Sequence, residues 1–397
     1  MYSQAMYELG SRRSVIREIF EYGRARAAAI GADKVFDFSL GNPSVPPPDS
    51  IDDTIRELLA TAEATLLHGY SSAPGDSGVR AAMAQHLNAR FDTAYRADNL
   101  YITTGAAAAL CICFTALTVP GDEYIAFAPY FPEYQVFVEA AGGKLMVVVP
   151  RAGDFQIEPE RLAAAVTPHT KAVIINSPNN PSGVVYSEAT VSALAAVLKE
   201  KSRQYGHPIY LIADEPYREL VYDDVAVPWL PAYYDDTLVC YSYSKSLSLP
   251  GERIGYVLIP DAVTDSRGLY AAAAGAARAL GYVCAPSLFQ QVVARNLGLT
   301  ADIAAYKRNR DLLTAGLREL GYSYIKPDGA FYLFMRSPEP DANAFCARAR
   351  GHELLLVPGD DFGCPGYVRI AYCVTEKQIT AAMPAFAALA AEYGLQA

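Results

Sequence analysis

Short apolar runs alternate along this chain with longer stretches whose apolar residues recur every three or four positions. The runs Leu100–Thr104, Glu123–Ala128, Lys144–Val149, Lys171–Ile175, Pro208–Ala213 and Thr237–Tyr241 are continuous rather than alternating, which predicts strands buried on both faces. Between them, Ser187–Tyr205 sets Val191, Leu194, Ala195 and Leu198 on one helical face. Strands and helices in this alternation predict an α/β fold, a large domain whose mainly parallel sheet is flanked by helices. After about residue 290 the pattern changes. A helix over 299–320, a strand pair around Ala330–Met335, a helix near 341–350, strands Leu354–Val357 and Tyr367–Ala371 and a closing helix over 376–394 predict a smaller α+β domain. The first 45 residues, a helix followed by Val35–Leu40 and the proline-rich turn Asn42–Pro48, are expected to pack on that smaller domain. The expected division is therefore an N-terminal arm over 1–45, a large domain over 46–290 and a small domain over 291–397.

Composition narrows the function. The 397 residues are 52% hydrophobic and 19% charged, enough to build sizeable cores and incompatible with disorder. Lysine and arginine number 33 against 43 acidic residues, and the net charge of −10 repels nucleic-acid phosphates and anionic lipid. Neither a nucleic acid nor a membrane is expected as a partner. Met1 to Arg13 carries Glu8, Arg12 and Arg13 but no apolar segment of the signal-peptide kind. Ala106–Val119 is too short to span a bilayer and is stopped by Pro120 and Gly121. Seven cysteines without a CxxC pair suit a reducing cytoplasm, and five scattered histidines without HxH or HExxH give no metal site.

Candidate chemistry collects at the carboxyl ends of the expected strands, where open α/β sheets bind ligands. Leu100–Thr104 runs into Gly105, Ala106 and Ala107; Lys171–Ile175 into Asn176-Ser-Pro-Asn-Asn-Pro-Ser-Gly183; Pro208–Ala213 into Asp214-Glu-Pro-Tyr217; Thr237–Tyr241 into Ser242-Tyr-Ser-Lys245. Tiny side chains at a helix start let backbone N–H groups approach an anion, and Ser242, Ser244 and Arg253 add hydroxyls and a guanidinium fork suited to phosphate. Asp214 offers a carboxylate to a cation, and Lys245 an amine able to form a Schiff base. A phosphate, a cation and a carbonyl on one ligand describe pyridoxal 5′-phosphate. Each residue also has a plain reading: Asp214 as a helix cap, the NNPSG run as a turn, Lys245 as a surface lysine, Arg369 as a salt-bridged strand arginine. Their order at successive strand ends argues against that many coincidences.

With these residues in place the chain resembles the fold-type I aminotransferases of class I/II. The resemblance is carried by Ser39-Leu-Gly-Asn-Pro43, Tyr70, Pro74-Gly75, Gly78-Val-Arg80, Thr104-Gly-Ala-Ala107 and Pro129-Tyr-Phe131. It continues through Asn176–Gly183, Asp214–Tyr217, Ser242–Lys245, Pro250-Gly-Glu-Arg253, Pro327-Asp-Gly-Ala-Phe-Tyr332 and Val368-Arg369-Ile-Ala371. It implies an L-amino acid to 2-oxo acid transamination, with glutamate and 2-oxoglutarate as one pair. By resemblance, Lys245 carries the Schiff base and moves the proton, Asp214 pairs with the ring nitrogen, and Asn180 and Tyr217 hold the ring oxygen. Phe131 stacks on the ring, while Gly105, Ala106, Ala107, Ser242, Ser244 and Arg253 bind the phosphate. Arg369, with Gly41 and Asn180 close by, clamps the substrate α-carboxylate. Tyr70 reaches the phosphate of the other subunit, which makes a homodimer part of the site. Ala106, Ala107 and Phe131 depart from the hydroxyl-bearing loop and the Trp or Tyr of many relatives, which weakens cofactor affinity without removing a catalytic group.

Three other readings compete with this one. Ser242-Tyr-Ser-Lys245 also satisfies the S-x-x-K signature of acyl-serine penicillin-binding proteins, but the S-D-N and K-T-G partners are absent. A β-lyase cleaving C–S bonds would use largely the same residues. A non-enzymatic regulator sensing pyridoxal phosphate needs a DNA-binding domain, and the segment before Val35 is short and not notably basic. Arg278 has two readings, a contact to a substrate side-chain carboxylate or a helix arginine beside the alanine-rich run 271–277.

Overall fold

The computed structural model describes residues 2–11, 15–149 and 153–396; Arg12 and Arg13 lie outside the described residues. Strand β1 (Phe36–Asp37) precedes the large sheet, whose strands are β2 (Leu100–Thr103), β3 (Glu123–Phe127), β4 (Lys144–Val148), β5 (Thr170–Asn176), β6 (Tyr210–Asp214), β7 (Thr237–Ser242) and β8 (Gly255–Leu258). Their order is β2-β8-β7-β6-β5-β3-β4. All pairings are parallel except the two made by β8, which runs against both β2 and β7. The strand β8 is the one member of this sheet that the apolar pattern did not announce: four residues beginning with glycine, just after a Pro250-Gly251 turn, carry little periodicity.

Continuous apolar runs do become strands covered on both sides, except β4, which lies at the edge of the sheet and leaves Lys144 and Val147 exposed. Val173, Ile175, Leu211 and Ala213 enter one core, and Ala172, Ile174 and Ile212, alternating with them, enter the core on the other face. Full burial of each such aliphatic side chain contributes roughly 1.5–3 kcal/mol. The helix Glu188–Tyr205 seals the first core with Val191, Leu194, Ala195 and Leu198; Ser187 caps its start and Gly206, at φ 73°, closes it.

The C-terminal part adds β9 (Tyr324–Ile325), β10 (Tyr332–Arg336), β11 (Leu354–Leu355), β12 (Val357–Pro358) and β13 (Tyr367–Ala371). The strand expected over Leu354–Val357 is thus divided at Leu356. β11 pairs in parallel with β1, and β12 joins an antiparallel sheet of order β12-β13-β10-β9. That division ties the N-terminal arm to the small sheet, where Phe38 shares a core with Leu354, Ile370 and Phe386. The helix Ser287–Arg295 runs across the boundary expected at residue 290, and its Val292 and Val293 belong to the core of the large sheet. Among the described residues no helix is long and apolar enough to cross a membrane, and no cluster of His, Cys, Asp or Glu could hold a metal ion.

Candidate active site

The carboxyl ends of β2, β5, β6 and β7 lie at one edge of the large sheet, because β2 and β7 both run against β8 and so share a direction. β8 starts where they end. Its antiparallel course therefore delivers Arg253, just before Gly255, to the same edge. Here a cavity of about 550 Å³ is lined by Asp214, Tyr217, Asn180 and Lys245, with Ala106, Ala107, Phe131, Ser242, Ser244 and Arg253 at one end. Arg369 from β13 and Gly41 from the arm line its other side.

At one end the groups suit an anion. Gly105 precedes the helix Ala106–Leu117 with φ 91°, a conformation open to glycine, and caps it with no side chain. A Cβ there would sit 3.0 Å from Arg253 Nη2. Ser242 Oγ and Ser244 Oγ are 2.5 Å apart. Arg253 adopts φ 52°, a left-handed backbone that costs a bulky residue about 1–3 kcal/mol, and among the described residues it has no carboxylate partner. Backbone donors, two hydroxyls and an unneutralised guanidinium make a phosphate cup.

In the middle stand a carboxylate and an amine with displaced acidities. Asp214 Oδ2 accepts a 2.5 Å hydrogen bond from the Tyr134 hydroxyl, while Oδ1 is buried with no partner. Burial raises its pKa from 3.8 to about 7, against the lowering effect of Tyr134. Lys245 Nζ donates to the Gly41 carbonyl at 2.7 Å and lies 5.2 Å from the centre of the Phe331 ring. Burial, with the nearby Arg369 and Arg253 cations adding to it, lowers its pKa to about 8, so a sizeable neutral fraction exists near neutral pH.

At the far end Arg369 is 2% exposed. Its Nη1 donates to Asn180 Oδ1 at 3.2 Å, its Nη2 to the Ser39 carbonyl, and its Nε has no partner. Rings of Tyr332 and Phe362 face the guanidinium at 4.7 and 5.0 Å, and among the described residues no carboxylate pairs with it. Burial lowers its pKa. Tyr217 and Tyr332 share a 3.0 Å hydroxyl contact beside it. Gly41 must be glycine, since a Cβ would collide with the Tyr332 hydroxyl.

Of the residues singled out in the sequence, the cavity gathers all but Tyr70, Gly105 and Arg278, and Gly105 touches it through Arg253. Tyr70 is 98% exposed and borders a separate hollow near Leu66 and Gln290. Arg278 is exposed near the end of the helix Ser266–Leu280 and does not line this chain's own cavity. Sequence reasoning missed Tyr134, and it named Asn176 and Ser39 within motifs without giving either a role. Tyr134 was open to discovery: it follows Phe131 by three positions, one turn on at the start of a helix. Asn176 holds the Asn180 N–H at 2.7 Å and the Asp214 carbonyl at 2.9 Å, a tie across the β5–β6 edge that only pairing reveals.

A family model for aminotransferase class I and II matches residues 33–386. The chain belongs to that family. It is 32% identical, over 355 residues covering 88% of this chain and 89% of the relative, to an aspartate/prephenate aminotransferase of Thermus thermophilus. Among solved structures, an aminotransferase from Eubacterium rectale superposes with a TM-score of 0.97 at 57% identity over 99% of both chains. The aspartate aminotransferase of Thermus thermophilus with maleate gives a TM-score of 0.85 at 27% identity, over 98% of this chain and 100% of that one. Class I and II aminotransferases use pyridoxal phosphate, and the mainly parallel sheet with a smaller antiparallel one is their fold. The residues of this aminotransferase fit that cofactor on physical grounds: an unpartnered Asp214 Oδ1 for a protonated ring nitrogen, a lysine of lowered pKa for an aldehyde, and a cup for a phosphate.

Proposed function

We propose that this aminotransferase passes the amino group of an L-amino acid to a 2-oxo acid, with glutamate and 2-oxoglutarate as one pair and Lys245 as the Schiff-base lysine. The observation that carries the reading is the Lys245 amine, half-buried, at a pKa of about 8, in one cavity with an arginine and a carboxylate that both keep an unpartnered atom. When bound, pyridoxal phosphate supplies an aldehyde that captures amines and a ring that draws electrons from the substrate Cα. Ala106 and Ala107 N–H groups, Ser242, Ser244 and Arg253 hold its phosphate, and Phe131 covers its ring. Asp214 Oδ1 keeps the proton on the ring nitrogen while Tyr134 fixes the other oxygen. Asn180 and Tyr217 hold the ring oxygen. Arg369 would orient the substrate through its α-carboxylate, and Lys245 Nζ would take the Cα proton. Borohydride reduction of the yellow protein fixes the cofactor to Lys245, read by mass spectrometry of the labelled peptide; label on another lysine rejects the assignment.

The same reading includes a homodimer with Tyr70 crossing to the partner's phosphate cup, supported by its exposure of 98% and its absence from this chain's own cavity. Mixing inactive Lys245→Ala chains with weakened Tyr70→Ala chains then restores activity, because one site of each mixed dimer is intact. No gain on mixing rejects the shared site. Seven free thiols support a cytoplasmic location, which cell fractionation checks.

A further inference from the structure

A second cavity, of about 340 Å³, lies on the opposite side of the Lys245 turn, and no residue lines both. From the end of β7 through the short helical turn Tyr243–Ser246, Ser242 and Ser244 face the active-site cavity and Tyr241, Tyr243 and Ser246 the second one. His86, Arg90 and Phe91 form the facing wall from one side of the helix Ser77–Phe91. Tyr256 of β8 completes the aromatic lining, its ring stacked on Tyr241 at 5.1 Å.

What this cavity would bind follows from which polar groups are already satisfied. Arg218 is used up: it pairs with Glu215 and donates to the Val227 and Pro228 carbonyls at 3.1 and 2.9 Å. Glu219, the acidic group, is also engaged, taking Arg90 Nη1 at 2.6 Å and the Tyr241 hydroxyl at 2.8 Å. The Tyr243 and Tyr256 hydroxyls and the His86 ring make no hydrogen bond among the described residues, and Arg90, with 37% of its side chain exposed, keeps further N–H groups. Burial raises the pKa of both phenols and lowers that of His86, so the phenols remain O–H donors and the imidazole is neutral. The spare groups are thus mainly donors, one of them cationic, beside an aromatic wall.

We propose that this cavity is a second ligand site, taking a small monocarboxylate with an apolar body: carboxylate on Arg90 and the Tyr243 and Tyr256 hydroxyls, body against the aromatic wall. A dicarboxylate is disfavoured, because Arg90 is already paired with Glu219 and Arg218 with Glu215, so no cation remains for a second charge. Amino acids and 2-oxo acids are the compounds an aminotransferase handles, so apolar carboxylates are at hand, and one bound here touches residues on both sides of Lys245.

Trp229, the single tryptophan of the chain, lines this cavity and not the active site, so its fluorescence reports occupancy. The probe is 3-phenylpropionate, which has neither amine nor oxo group and cannot be transaminated, titrated into holoenzyme. A saturable fluorescence change is expected, with Kd weakened about tenfold or more by Arg90→Met and about fivefold by Tyr256→Phe, little changed by Arg369→Lys, and with succinate producing no such change. Tyr256→Phe removes a hydroxyl that holds nothing in the fold, so this arm survives if Arg90→Met fails to fold. Absence of a saturable change overturns the proposal, as does a change lost with Arg369→Lys and indifferent to Arg90→Met and Tyr256→Phe.

Discussion

Asp214 and Glu215 are neighbours in the chain, 5% and 2% exposed, yet they occupy opposite electrostatic situations. Glu215 is clasped by Arg218, itself set against the rings of Phe91 and Trp229. Asp214 has one oxygen on Tyr134 and the other on nothing. The two arginines repeat the contrast: Arg218 is saturated, whereas Arg369, equally buried, has no acid beside it among the described residues and an orphaned Nε. A buried ion pair roughly breaks even against its desolvation, but an unpaired buried charge costs several kcal/mol. On the proposed reading, the fold tolerates that cost at Asp214 and Arg369 because cofactor and substrate bring the missing partners. Burial alone separates nothing here; the unfilled valence marks the site.

The largest test of this contrast exchanges the two carboxylates. Asp214→Ala removes an acceptor needed only when the ring nitrogen is present, so transamination falls by about 10²–10³-fold or more while the melting temperature of the apoprotein holds or rises. Glu215→Ala leaves Arg218 charged and unpaired in the core, which costs about 3–5 kcal/mol of stability, and the molecules that remain folded turn over nearly normally. Steady-state kinetics and thermal melts on the same preparations decide it. If the two profiles were exchanged, Asp214 would be the structural acid and the comparison would collapse.

Much of this was legible beforehand, and the reason is local. Strands such as β5 and β6 are continuous apolar runs that end in polar motifs, so both the element and the position of Asp214 or Asn180 at its carboxyl end follow from the order of residues. What stayed hidden depends on pairing between distant segments. Nothing near Arg253 announces that β8 runs antiparallel and so aims it at Gly105. Nothing in Arg369 alone distinguishes it from Arg218: Glu215 stands three positions before Arg218 in the sequence, but that it clasps Arg218, and that among the described residues no acid reaches Arg369, are facts of packing. Tyr134 lies between, since its helical spacing from Phe131 was readable but its bond to Asp214 was not.

The arginines give a smaller contrast. Arg369→Lys keeps the charge and loses the fork, so KM rises for every amino acid and turnover falls, by about 10–100-fold in kcat/KM, with cofactor content unchanged. Arg218→Lys loses bonds to two carbonyls and its place against two rings; it lowers the melting temperature and leaves KM near normal. A matching loss of stability in both variants, with kinetics intact, would make Arg369 a strand arginine of the ordinary kind.

The smallest effect is a pH dependence carried by Asp214 itself. In the apoprotein its pKa stands at about 7 against 3.8 in the unfolded chain, raised chiefly by burial. Between those values the folded state keeps a proton that the unfolded state has released, so stability is greatest below about pH 4 and falls as pH rises towards 7, by at most about 4 kcal/mol in all. Lys245 has the opposite displacement, to about 8 from 10.5, so its contribution grows as pH rises through the separate window above 8. Asp37, Asp328 and Asp361 are also raised and His86 lowered, but they are common to wild type and Asp214→Asn and cancel in the difference between them. That difference in melting temperature, followed from pH 4 to 7.5, should turn steadily against the wild-type apoprotein. With pyridoxal phosphate bound, a protonated ring nitrogen gives the ionised carboxylate its partner, and the trend flattens or reverses. A difference that is flat in the apoprotein would mean that Asp214 ionises without penalty, and that its free oxygen is not waiting for a cation.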